Sequence, residues 1–176
     1  KEIDDSIKRV LESSSYITGP IVEEVEKSLI EYTGAEACAT CGSGTTALQI
    51  ALKACKIGPS DEVITVSHTF VSTPEAIVNV GATPIFVDID PISQNITPDN
   101  IRAAITKKTK AIVCVHLAGW PCEMDEIMDI AKSHKLFVIE DCAQAHGAKY
   151  KGISVGSIGD IGCWSFCQDK IMTTGG

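Results

Sequence analysis

The chain has 176 residues, 44% of them hydrophobic and 22% charged, with a formal net charge of −8. That composition supports one sizeable core in one domain, and the acidic balance argues against nucleic-acid binding, which needs clustered Lys and Arg. The opening KEIDDSIKRVLESS is too polar for a signal peptide or a membrane span, and no membrane association is expected.

In chain order, a helical pattern at the very start is followed by VEEVEKSLIEYTG, residues 22–34, where Val22, Val25, Leu29 and Ile30 share one face. A short strand is predicted at ACAT, residues 37–40, and the turn Gly42-Ser43-Gly44-Thr45 then opens a helix over residues 45–55. Strand EVITV, a helix over residues 72–80 and strand TPIFVDI come next. A helix from TPDNIRAAI leads to strand AIVCVH, then to the amphipathic helix EMDEIMDIAKSHK and strand LFVIED. A last apolar strand runs from Ile161 to Phe166. Strands apolar on both faces that alternate with helices predict an α/β fold, a three-layer sandwich around a mostly parallel sheet. Ligands of such sheets gather beyond the carboxyl ends of the strands. Both ends of the chain look interrupted, so it is expected to be part of a longer protein.

The eight cysteines sit mostly inside apolar runs and read as buried small hydrophobes, a usage that suits a reducing cytoplasm. Cys38 and Cys41 have CxxC spacing, but no second pair completes a zinc site, and no metal is expected.

Three stretches carry chemistry. CGSGTTAL exposes backbone N–H groups at a helix N-terminus, a ready site for a phosphate; a plain helix cap at Ser43 or Thr45 is the competing reading. It is neither a Walker A loop nor a dinucleotide fingerprint. LFVIEDCAQAHG ends a hydrophobic strand in two carboxylates. By strand alternation Glu140 and Asp141 point to opposite faces. Glu140 reads as structural, and Asp141 either faces a cationic ligand or caps a helix. GCWSFCQDK delivers Ser165 and then Lys170, which is a solvated surface group unless it shares a cavity with Asp141. Together the three describe pyridoxal 5'-phosphate, whose aldehyde takes a lysine, whose pyridine nitrogen takes a carboxylate and whose phosphate takes amides and hydroxyls.

With those segments, and with YITGPIVEEVEKSLIEYTGAEACATCGSGTTALQIAL, GATPIFVDID, VIEDCAQAHGAKYKGISVGSIGDIGCWSF and DKIMTTGG, the chain resembles the sugar aminotransferases of the DegT/DnrJ/EryC1/StrS family, which are fold-type I pyridoxal-phosphate enzymes. The resemblance covers nearly the whole length. It implies that residues 1–176 are part of the large, cofactor-binding domain, with the family's smaller C-terminal domain absent from this chain. It implies that Lys170 forms the Schiff base with the cofactor and shuttles the proton, and that Asp141 pairs with the pyridine nitrogen. Gly44, Thr45 and Ser165 would hold the phosphate, Phe70 would stack on the ring and Gln144 would sit near the phenolic oxygen. His146, His68 and His116 are expected to be structural, the last two near the cleft rim. The implied reaction moves an amino group, from glutamate, to a nucleotide-linked keto-sugar in a cytoplasmic homodimer. Two alternatives stand beside it: a sugar dehydratase of the same family, which carries His in place of the lysine, and a non-catalytic binding or regulatory domain.

Overall fold

The computed structural model describes residues 1–175, which fall into two compact units, residues 1–40 and the chain from Cys41 onward. The first unit holds α1 (Glu2–Ser13) and α2 (Pro20–Thr33). Pro20 occupies the first turn of α2, where its fixed φ and missing N–H cost nothing. Gly34 ends the helix in the left-handed region and donates its amide to the Ile30 carbonyl. Residues 37–40 form no strand. Their end is tied down instead by Glu26, whose Oε1 accepts the Thr40 amide at 2.8 Å and the Thr40 hydroxyl at 3.0 Å, so that amide is not available to a strand ladder.

The second unit is built on a five-stranded sheet in the order β2-β1-β3-β4-β7, all pairs parallel. Its strands are β1 (Glu62–Val66), β2 (Thr83–Val87), β3 (Thr109–Val115), β4 (Phe137–Asp141) and β7 (Ile161–Cys163). A two-residue hairpin of β5 (Lys149–Tyr150) and β6 (Ile153–Ser154) lies between β4 and β7. The last strand is shorter than expected: pairing to β4 stops at Cys163, where β4 itself ends at Asp141. Beyond it Trp164, Ser165 and Phe166 continue without a ladder partner.

Alternation along the strands sorts their side chains into two cores. On one face Val63, Val113, Ile139 and Cys163 pack with Leu48, Ala51 and Leu52 of α3 (Gly44–Ala54) and with Ala76 and Ile77 of α4 (Ser72–Asn79). On the other, Ile64, Ile112, Cys114 and Val138 pack with Ile101 of α5 (Pro98–Ala104) and with Met124, Ile127, Ile130 and Ala131 of α6 (Met124–His134). The result is the three-layer α/β sandwich that the doubly apolar strands predicted. Two helix starts carry side-chain caps: Ser43 accepts the Thr46 amide, and Thr97 accepts the Asn100 amide ahead of Pro98. Among the described residues no helix is long and apolar enough to cross a membrane.

Candidate active site

β4 ends in two carboxylates that the pleat sends to opposite faces. Glu140 turns toward the side of α5 and α6 and is completely buried. Its Oε2 accepts from His116 Nε2 at 2.9 Å and from the Gly156 amide at 2.8 Å, and its Oε1 from the amides of Ile158 at 2.9 Å and Gly159 at 2.6 Å. His116 Nδ1 accepts the Cys122 amide at 3.1 Å, which puts the ring proton on Nε2, facing Glu140. Burial alone would raise the Glu140 carboxyl, but the bonds from His116, Gly156 and Gly159 hold it below the ordinary range. Cys142 lies within 4.8 Å of the donor atoms of His116 and Glu140. With both Glu140 oxygens and both imidazole nitrogens already engaged, this cluster is a clasp that joins β3, β4 and the 156–159 loop. His116 was expected near the cleft rim; the structure buries it completely, because Glu140 and Cys122 satisfy both of its nitrogens.

Asp141 turns to the other face and is 6% exposed. Its Oδ2 accepts the Thr73 hydroxyl at 2.7 Å, and its Oδ1 accepts the Ala143 amide at 3.2 Å. Burial raises its carboxyl above the ordinary value in spite of these bonds and of the opposing influence of His116 and Lys170. Thr73 was not anticipated from the sequence. The hydroxyl-rich run SHTFVST at a helix start was the available signal, but without the fold nothing aimed it at Asp141.

The amino end of α3 lies against the segment that follows β7. A Cβ added to Gly44 would come within 3.0 Å of Ser165 Cβ and 3.4 Å of the Trp164 carbonyl. Ser43 caps the Thr46 amide and Thr45 Oγ1 meets Ser72 Oγ at 2.7 Å. The Gly44 and Thr45 amides have no protein acceptor among the described residues. Ser43 thus caps the helix, and the free amides of the same turn point outward from its N-terminus.

Lys170 has a side chain only 18% exposed, with Nζ 3.5 Å from Asp169 Oδ2 and 6.0 Å from the centre of the exposed Phe70 ring. Together with Ala118, Ala143, Gln144, Asp169 and Ile171 it lines a cleft of about 350 Å³. Gln144 Oε1 accepts the Ala118 amide at 3.0 Å, which fixes the side chain in that cleft. His146 is buried between Trp164 and Phe166, each ring 5.3 Å away. His68 is exposed on the loop after β1. Of the eight cysteines five are buried, Cys38 and Cys167 are half-buried and Cys41 is exposed. The structure thus brings Gln144 and Lys170 to one cleft, buries Asp141 within the electrostatic reach of Lys170, puts Phe70 near the Lys170 amine, and sets Gly44, Thr45 and Ser165 together at one helix end.

The model of the DegT/DnrJ/EryC1/StrS aminotransferase family matches residues 1–176. The chain belongs to that family. It is 47% identical over 175 residues to a UDP-N-acetyl-3-dehydro-alpha-D-glucosamine 3-aminotransferase of Acidithiobacillus ferrooxidans, a match spanning 99% of this chain and 47% of that protein. An aminotransferase from Psychrobacter cryohalolentis superposes with a TM-score of 0.95 at 56% identity, over 98% of this chain and 44% of that one. NtdA from Bacillus subtilis, solved with bound cofactor PMP, superposes with a TM-score of 0.90 at 37% identity, over 97% of this chain and 38% of that one. The chain therefore spans about half the length of the curated family members it matches, or slightly less.

Proposed function

We propose that this chain is the cofactor-binding part of a pyridoxal-phosphate-dependent aminotransferase that transfers an amino group, with glutamate as donor, to a nucleotide-linked keto-sugar. One observation carries the reading: a buried carboxylate, a largely buried primary amine and a helix end with two amides lacking protein acceptors among the described residues lie at the same edge of one parallel sheet. The residues present fit the cofactor. The Gly44 and Thr45 amides and the Ser165 hydroxyl offer donors to a phosphate. Asp141, desolvated and without a direct ion-pair partner among the described residues, suits a protonated ring nitrogen. Phe70 offers an exposed aromatic face, and Gln144 a polar group within the cleft.

When bound, pyridoxal phosphate supplies an aldehyde that condenses with a primary amine and a ring that takes up electron density from a carbon losing its proton. Lys170 is the amine that holds the cofactor. With the cofactor bound, Lys170 Nζ would be the group placed to take up and return the proton of the substrate carbon, a general acid–base role. Asp141 keeps the proton on the ring nitrogen. Gly44, Thr45 and Ser165 anchor the opposite end, so that the proton transfer occurs at a fixed distance from Lys170.

The dehydratase alternative calls for His at position 170, and Lys170 speaks against it. A purely structural domain would gain nothing from Asp141, whose ionised form costs folding free energy where it stands. The same proposal includes a longer catalytic chain than these residues, a homodimeric assembly and a cytoplasmic setting.

A half-reaction screen tests the reading. The full-length protein in its aminated cofactor form is mixed with a panel of nucleotide keto-sugars, and the visible absorption of the aldehyde form is followed. Return of the band with at least one keto-sugar, and with 2-oxoglutarate, is expected. A protein that takes up no cofactor, or one that releases water from a nucleotide sugar without amino transfer, would overturn it.

A further inference from the structure

Thr73 has no part in the chemistry above, yet it makes the shortest hydrogen bond that Asp141 receives. Its side chain is 1% exposed in the first turn of α4, and its hydroxyl lies 2.7 Å from Asp141 Oδ2. A threonine hydroxyl has one proton, and an ionised carboxylate can only accept. That proton therefore goes to Asp141, and Thr73 Oγ1 must accept at its other contact, the Thr69 hydroxyl 2.8 Å away. The bonds run in one direction, Thr69 to Thr73 to Asp141, and each polarises the next. The second carboxylate oxygen is held independently by the Ala143 amide. Both oxygens are thus fixed from different elements, which defines the plane of the carboxylate.

We propose that Thr73, backed by Thr69, is a positioning residue that keeps Asp141 oriented and ionised for the protonated ring nitrogen of the cofactor. The inference rests on the reading in the preceding subsection. Burial works against ionisation of Asp141, and only two of the opposing groups touch it, the Thr73 hydroxyl and the Ala143 amide. The amide belongs to the backbone; the hydroxyl is the one bond that a side-chain change can remove. The titratable groups around Asp141 are His116 beyond β3, Lys170 after β7, Cys163 on β7, and Glu140 and Cys142 on its own chain segment. From α4 it meets the Thr73 hydroxyl. Replacing Thr73 by valine keeps the shape and deletes the donor. The neutral carboxyl is then favoured, and the partner of the ring nitrogen is lost progressively as the pH falls.

The test uses the full-length protein and its T73V, T73S and T69V variants. Pyridoxal phosphate affinity is measured from quenching of tryptophan fluorescence across neutral pH, and the melting temperature of the cofactor-free protein is recorded alongside. T73V is expected to bind about tenfold more weakly than wild type on the acid side of neutrality, and the ratio should shrink as the pH rises. T73S should restore both the affinity and its pH dependence, and T69V should shift them in the same direction by less. A T73V protein that melts lower but keeps the wild-type affinity at every pH would show a merely structural bond and overturn the inference alone. A wild type that takes up no cofactor would overturn the proposed function and this inference with it. If T73V does not fold, an unchanged T69V profile is the overturning result.

Discussion

At the scale of single residues, two adjacent carboxylates have opposite environments because the pleat separates them. Glu140 accepts four hydrogen bonds and is held below its ordinary value. A lowered folded value means that Glu140 stabilises the fold above the ordinary carboxylate range and loses that contribution as the pH falls through the folded value. E140Q puts an amide N–H where N–H groups already converge, and should cost about 3 kcal/mol at neutral pH, read from urea unfolding. Asp141 is the reverse case. Its folded value is raised, so its ionised form costs stability, a cost absent below the ordinary range and fully present above the folded value. Apo D141N should therefore melt no lower than apo wild type at neutral pH while losing cofactor affinity; a clearly lower melting temperature would contradict this. Alternation along LFVIED was enough to place the two carboxylates on opposite faces and to read Glu140 as structural, while Asp141 stayed open between a cationic ligand and a helix cap. It could not reveal Thr73, which lies 68 positions away and meets Asp141 only because α4 follows β1 across the sheet.

At the scale of elements, most helices and strands were legible because their apolar spacing agrees with the packing they adopt. The exceptions have local causes. Residues 37–40 look like a strand by composition, but Glu26 takes the Thr40 amide that a ladder would use. The strand beginning at Ile161 stops at Cys163, because β4 offers no further partner. The hairpin of β5 and β6 was passed over, although Lys151 and Gly152 both adopt positive φ and KG is the turn signal it contained. The backbone at Gly156 can lie against β7 only because Gly162 has no side chain: an added Cβ would overlap the Gly156 carbonyl and Cα. Gly162→Ala should therefore reduce soluble yield and destabilise the fold by about 3 kcal/mol or more, measured by thermal unfolding. Gly44→Ala meets a milder contact, 3.0 Å to Ser165 Cβ. It should leave the melting temperature nearly unchanged and weaken binding of pyridoxal phosphate more than binding of the unphosphorylated aldehyde.

At the scale of the whole molecule, the parallel order β2-β1-β3-β4-β7 sends the carboxyl ends of its strands to one edge, and the proposed site groups collect there. That convergence was foreseeable from the alternation of strands and helices; the distances within it were not, because they depend on loops whose course no periodicity encodes. The central claim is that Lys170 is the amine that holds pyridoxal phosphate. It is tested most directly by borohydride reduction of the full-length protein loaded with the cofactor, followed by peptide mass mapping. One phosphopyridoxyl group, on the Nζ of Lys170, is the expected result. A modification on another lysine, or none at all, would contradict it.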